Sequence, residues 1–267
     1  MMDQLNPSLL SEQVYDCEDA QTCLMPMGIT SENVAKEFGI DRTTQDQLAV
    51  DSHRKAAEAN KQGWAQKEIT PYTTTVKDKD GNATSVLVDR DDGIRPQTSL
   101  AGLGKLKAAF QKGGSTTAGN SSQVTDGASC VLLARRSVAK ALGVKIIGRM
   151  LSYSVQGVPP HIMGIGPAFA IPAALEKAGI SQDKIDIFEV NEAFASQATY
   201  CVKKLGIPAE KLNPRGGALA LGHPLGMTGS RMIVTLFHEL ERTNQRFGVV
   251  SMCIGTGMGA AGVFERE

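Results

Sequence analysis

From Val144 onward the chain alternates between strand-like and helix-like stretches, and this rhythm confines it to layered α/β architectures. Ile185–Val190 alternates apolar and polar residues as a strand does. It runs straight into Asn191-Glu-Ala-Phe-Ala-Ser-Gln, which opens a helix expected to end at Gly206. The glycine-rich stretch from Gly216 to Arg231 then feeds a helix with Met232, Ile233, Leu236, Phe237 and Leu240 on one stripe. Gly248–Met252 reads as a buried strand, Cys253–Gly259 as a turn, and Ala260–Phe264 as a second strand.

Upstream, Ser31–Phe38 is helical and closes at Gly39, and Gln45–Asn60 continues without Gly or Pro. Thr73–Val76 and Ser85–Val88 flank Asp80-Gly81, a hairpin signal. Residues 98–110 are expected to form a helix with Leu100, Leu103, Leu106 and Phe110 on one face. Residues 113–126 are a Gly-, Ser- and Thr-rich loop that either turns or brings backbone close to something.

Length and charge exclude several classes. The 267 residues suffice for one or two domains with a real core. With 28 Lys+Arg against 28 Asp+Glu there is no surplus of positive charge to displace counterions from phosphates, so nucleic acid is not an expected partner. Met150–Leu175 carries no charged residue, but Pro159, Pro160, Pro167 and Pro172 break it, so it reads as loop and packed core rather than a membrane span. Five cysteines (17, 23, 130, 201, 253) form no CxxC pair, and no metal site is expected. Met1–Gln4 shows no secretory signal, and a reducing compartment is the default.

Three places have the composition of a reactive site. His223 lies between Gly222 and Pro224, in a loop with glycines at 216, 217, 222, 226 and 229. Such a loop lets a substrate approach backbone, although a lone His is commonly a surface or core residue. Cys253 ends an apolar strand and faces Gly255, Gly257 and Gly259. It is either a small buried hydrophobe or a proton-transferring thiol beside oxyanion-binding N–H groups. Asn191 and Glu192 stand at a strand-to-helix junction, where Asn is either the helix N-cap or a polar group of the site. Gly257-Met-Gly-Ala-Ala-Gly262 matches the dinucleotide fingerprint in letters. The chain ends at Glu267, too soon for the helix and acidic residue which that mechanism needs, so a nucleotide cofactor is rejected.

Taken in order and spacing, NEAFASQ, GGALALGHPLGMTGSR and CIGTGMGAA resemble the C-terminal signature set of the thiolases, with the peroxisomal 3-ketoacyl-CoA branch the nearest. MGITSENVAKEFG, DGIRP at 92–96 and TTAGNSSQVTDGA at 116–128 extend the similarity over nearly the whole chain. The resemblance implies a thiolase-like layered α/β fold. Residues 1–122 would be the loop domain with an N-terminal remnant, 123–142 a returning segment of the N-terminal half, and 143–267 the C-terminal domain. The implied activity is cleavage of a 3-ketoacyl-CoA by CoA to acetyl-CoA and a shortened acyl-CoA, as in fatty acid β-oxidation. Coenzyme A would be co-substrate, and no prosthetic group is implied. By motif match Cys253 would be the acid/base, with an ordinary thiol pKa needing modest tuning. His223 would activate the nucleophile and donate to one oxyanion, Asn191 would hold the water completing that site, and the Gly255 N–H would serve the second. Arg95, Ser122, Met163, Ala193 and Phe194 would contact CoA.

The family's nucleophile is a Cys in a Cys-Ser-Ser-Gly type context, and none of Cys17, Cys23, Cys130 or Cys201 has it. The expectation is therefore a chain without most of the nucleophilic half, with the apolar face of the other half exposed and the segment near Asp126–Ala134 weakened because its strand partners are missing. Such a chain is either an acyltransferase that works with a thiolase N-terminal half or as a homo-oligomer, or an inactive CoA-binding or subunit-interaction module. A Cys-His hydrolase built on Cys253 and His223 is a third, weaker reading. The resembled branch is peroxisomal. Glu265-Arg-Glu267 is not a Ser-Lys-Leu type address, which leaves the cytosol open as well.

Overall fold

The computed structural model describes residues 9–267, so the reading of Met1–Gln4 lies outside the described residues. After a short α1 (Glu18–Thr22), α2 (Met27–Glu37) and α3 (Arg42–Lys61) form where the sequence predicts helices. Gly39, at φ +63°, lets the chain leave α2 in the left-handed conformation that residues with a Cβ resist. Asp41 caps α3 by accepting from the Thr44 N–H at 2.7 Å. The strands β1 (Tyr72–Lys77) and β2 (Ala83–Val88) pair as the expected antiparallel hairpin, largely exposed. Its turn is held by the Asp78 carboxylate, which accepts from the N–H groups of Asp80 and Asn82.

The predicted helix over 98–110 is cut to α4 (Leu100–Leu103). Gly102 and Gly104 make a longer helix costly. Instead the carbonyls of Leu103 and Leu106 are gathered by the Arg42 guanidinium, and Phe110 packs edge-on against Phe194. The small-residue loop that follows is buried: Thr116, Thr117 and Asn120 are inaccessible to solvent. The Glu32 carboxylate fixes it by accepting from the N–H groups of Ser115 and Thr116. No regular element runs from 123 to 135, and Val124, Leu132 and Leu133 are 81–85% exposed.

Beyond α5 (Arg136–Ala141) lies the main sheet, built from β3 (Gly148–Gly157), β4 (Ile187–Val190), β5 (Phe247–Cys253) and β6 (Met258–Arg266). Its order is β3-β6-β5-β4, antiparallel except for the β4/β5 pair. Four more helices belong to this half: α6 (Pro167–Ala178), α7 (Ala195–Leu205), α8 (Ala218–Leu221) and α9 (Thr228–Thr243). The uncharged stretch at 150–175 is thus a strand and a helix joined by a turn; the sequence suggested loop and packed core, and Ile171, Ala174 and Leu175 are indeed in the core. No helix among the described residues is long and apolar enough to cross a membrane.

Alternation along β4, β5 and β6 buries side chains on both faces of the sheet, while β3 leaves Met150, Tyr153 and Val155 exposed. Phe188, Val190, Val249 and Val263 pack with Ile171 and Leu175 of α6, while Ile187, Val250 and Phe264 pack with Met232, Leu236 and Leu240 of α9. Each such side chain removed from water contributes roughly 1.5–3 kcal/mol. The parallel pairing of β4 with β5 sets their C-terminal ends side by side, where open α/β sheets tend to place their ligands.

Candidate active site

Asn191 and Cys253 occupy those two strand ends. Asn191 continues the β4 ladder by one step, donating its N–H to the Ser251 carbonyl at 2.9 Å. It is not the cap of the next helix: α7 begins only at Ala195. Its side chain turns instead to His223, with Asn191 Nδ2 3.2 Å from His223 Nε2.

The His223 ring is held at its other nitrogen as well, with Nδ1 2.7 Å from Thr228 Oγ1. Thr228 spends its hydroxyl proton on the Pro224 carbonyl at 2.9 Å, so it can only accept from the ring. Nδ1 therefore carries the proton, and Nε2 presents a lone pair. Burial lowers the His223 pKa from its usual value, which favours the neutral base. The backbone of the His223 loop is anchored too, its N–H donating to the Gln123 carbonyl at 2.9 Å.

Behind this pair stands Glu192, almost wholly buried. It accepts from Ser52 Oγ at 2.6 Å, Asn213 Nδ2 at 2.7 Å and the Leu219 N–H at 3.4 Å, joining α3, α8 and the loop before α8. Gly217 packs directly on this carboxylate, where a side chain would collide with it. Asn213 also donates to the Val190 carbonyl and accepts the Val190 N–H, fixing the end of β4.

The Cys253 side of the site is made of backbone. Residues 254–258 form a tight turn in which the Ile254 N–H donates to the Met258 carbonyl and the Met258 N–H to the Gly255 carbonyl. The Gly255 N–H has no acceptor among the described residues. Gly255 sits at φ +89° and Gly257 at φ +92°, and a Cβ on Gly257 would lie 2.5 Å from the Val158 carbonyl oxygen. From Met258 the chain continues as β6, so the glycines at 257, 259 and 262 lead into a strand and not a helix. Burial pushes the Cys253 thiol up to about 11, well above the modest tuning expected from sequence. At neutral pH it is a proton donor. It makes no hydrogen bond to His223 or Asn191, so the site has two halves at one end of the sheet.

The residues expected at CoA divide. Ser122 donates its N–H to the Ala193 carbonyl at 2.9 Å, and Ser121 bridges Phe194, so Ser122, Ala193 and Phe194 lie together. Met163 is buried in the turn at 160–165, whose Gly164 packs on Gln197 of α7. Arg95 is on an exposed loop, its N–H donating to His53 Nδ1, and its side chain bonds to none of the others. The sequence pointed to His223, Asn191 and Cys253 but not to Thr228 or Asn213. A hydroxyl five residues past a loop histidine was the available signal for Thr228. No cluster of three or more His, Cys, Asp or Glu able to hold a metal occurs among the described residues, and all five cysteines are free.

Comparison with known proteins decides the family. Residues 6–137 match the model of the thiolase N-terminal domain and residues 144–266 that of the thiolase C-terminal domain. The chain belongs to the thiolase family. It is 63% identical over 261 residues to the rat peroxisomal 3-ketoacyl-CoA thiolase B, covering 97% of this chain and 62% of the rat protein. With the human peroxisomal 3-ketoacyl-CoA thiolase it shares 60% over 266 residues, 99% of this chain and 63% of the human one. The crystal structure of the dimeric peroxisomal thiolase of Saccharomyces cerevisiae superposes with a TM-score of 0.86 at 48% identity, covering 99% of this chain and 65% of that one. Human mitochondrial 3-ketoacyl-CoA thiolase in complex with CoA gives 0.84 at 37% identity, over 92% of this chain and 60% of that one. This thiolase chain thus spans less than two thirds of the length of these relatives, and has the mixed α/β fold of the family.

Proposed function

We propose that these residues form the acid/base half of a thiolase site that cleaves 3-ketoacyl-CoA with CoA, giving acetyl-CoA and a shortened acyl-CoA. The nucleophilic cysteine would come from outside the 267 residues, and coenzyme A would be co-substrate. The observation that carries this reading is the His223 ring, held at Nδ1 by Thr228 and at Nε2 by the Asn191 amide, at the same sheet end as the Cys253 thiol.

In the proposed cleavage, the nucleophile takes the acyl carbon and the acetyl-CoA part leaves as an enolate. The enolate oxygen would sit against His223 Nε2, which donates once it has taken the nucleophile's proton, and a water held by Asn191. The enolate carbon would take its proton from Cys253, whose high pKa keeps that proton available. The resulting thiolate would then remove the proton of the incoming CoA thiol, and the Gly255 N–H would bind the second oxyanion. Ser122, Ala193 and Phe194 would line the pantetheine arm with Met163 behind them, and Arg95 would meet the nucleotide end. The setting we infer is peroxisomal β-oxidation, a reading supported by relatives that are named peroxisomal 3-ketoacyl-CoA thiolases.

A second reading, that of a CoA-binding or subunit-interaction module without turnover, is favoured by the exposed Val124, Leu132 and Leu133, which suit a covering partner. One measurement separates the two. Exchange of acetyl-CoA methyl protons with D2O needs the acid/base half alone. The expected outcome is exchange by this chain, lost in Cys253→Ala, with no net thiolysis of acetoacetyl-CoA. CoA binding without exchange supports the second reading, and thiolysis by the chain alone overturns the assignment of the nucleophile.

A further inference from the structure

Two buried oxygens near the site have no hydrogen-bond partner among the described residues: Glu189 Oε1 and Asn191 Oδ1. They are two residues apart on one extended segment, so both side chains leave the same face of the sheet. That is the α9 face, because Ile187, two residues earlier, packs on Met232, Leu236 and Leu240. Glu189 and Asn191 also line a common cavity of about 30 Å³, closed on its α9 side by Thr228, Arg231 and Thr235. A volume of that size holds a water, and the two unpartnered oxygens offer it acceptors.

Among the described residues no cation forms an ion pair with Glu189, although Arg231 lines the same cavity. Arg215 pairs with Glu239 at 2.8 Å and Glu68 at 3.5 Å, Arg231 grips Asp91 with two bonds of 2.5 and 2.7 Å, and Arg242 closes on Glu239. Three guanidinium groups thus answer three carboxylates. The remaining neighbour, Glu192, is a further acid, with Lys55 beyond it. Desolvation first, and then the Glu68 and Glu192 carboxylates, raise the Glu189 pKa well above the carboxylate range, and Arg215 opposes this only in part.

We propose that Glu189 is a positioning residue: its neutral carboxyl shares one buried water with Asn191 Oδ1, and this water holds the Asn191 amide with Nδ2 toward His223. An inverted amide would turn its NH2 group to the water and its oxygen to Nε2, leaving a lone pair against a lone pair. The Nε2 lone pair thus sets which way the amide faces, and the water, by donating to the oxygen left toward Glu189, holds it there. The consequence for catalysis rests on the reading of His223 as the base, whereas the water and the tautomer do not.

The test is a high-resolution crystal structure of the chain together with 15N imidazole shifts of His223 in wild type, Glu189→Gln and Glu189→Leu. The expected water lies about 2.7–3.2 Å from both oxygens. Wild type and the Gln variant hold the proton on Nδ1, and the Leu variant, whose side chain fills the cavity, shows mixed tautomers. The stability of Glu189→Gln relative to wild type should rise with pH, by about tenfold in the unfolding equilibrium per unit from pH 5 upward, until Glu189 itself ionises in the fold. A dry cavity, or a folded Leu variant with the wild-type tautomer, overturns the proposal. Should the Leu variant not fold, a stability difference independent of pH overturns it instead. A correct water and tautomer in a chain that exchanges no acetyl-CoA protons would refute the functional reading and leave this one standing.

Discussion

The two halves of the site are built on opposite principles. Around His223, side chains do the positioning: Thr228 fixes the ring proton, Asn191 faces Nε2, and Glu192 ties three segments behind them. Around Cys253 the positioning is done by main chain, a turn whose glycines allow contacts that no other residue would. The first half is therefore sensitive to which functional groups are present, and the second to backbone shape. The difference would suit the proposed tasks: a base needs a defined tautomer, whereas an oxyanion needs an N–H held open.

Substitutions can break this contrast or sharpen it. The largest loss is expected for Glu192→Ala, which strands the Ser52 and Asn213 donors around a new cavity and should cost about 3–4 kcal/mol by urea denaturation. Gly257→Ala forces a Cβ against the Val158 carbonyl at a positive φ and should cost about 2–3 kcal/mol. Its sharper readout is faster alkylation of Cys253 with unchanged His223 imidazole shifts; if both halves respond alike, the contrast fails. Thr228→Val leaves the ring N–H at Nδ1 without an acceptor and should cost about 1–2 kcal/mol. Proton occupancy should then move toward Nε2, with Cys253 alkylation unaffected. A pH dependence probes the same contrast at wild-type composition. Because folding raises the Cys253 pKa to about 11, its contribution is fully present below the ordinary thiol range and is lost as pH rises toward 11. Alkylation of Cys253 should accelerate about tenfold per pH unit from 8 to 10. In Cys253→Ser the alkaline loss of stability should be smaller.

Periodicity carried the architecture because it reflects burial. Leu236 and Leu240 recur at helical spacing, and Val249 and Val250 face opposite sides of a strand, so letters alone place both layers. The hairpin at Asp80-Gly81 and the Gly39 cap were legible for a similar reason, since each depends on local backbone preference. What periodicity could not see was tertiary. Leu106 and Phe110 have helical spacing, yet Arg42 and Phe194 recruit that segment into turns. Asn191 looked like a cap, but its amide goes to a histidine in a distant loop. The thiol of Cys253 was expected near its ordinary range, and only three-dimensional burial shows how far it is moved. His223 was legible through the glycines that frame it, whereas Thr228 and Asn213 were hidden among ordinary loop residues.

The ion pairs Arg215–Glu68 and Arg231–Asp91 have a mechanical consequence for the molecule as a whole. They clasp the region before 123 to the region after 135, while the stretch between is open to solvent along most of its length. A protease nicking that stretch would thus cut one covalent thread without separating what it connected. The two pieces would migrate as a single species in a native gel and part only in detergent.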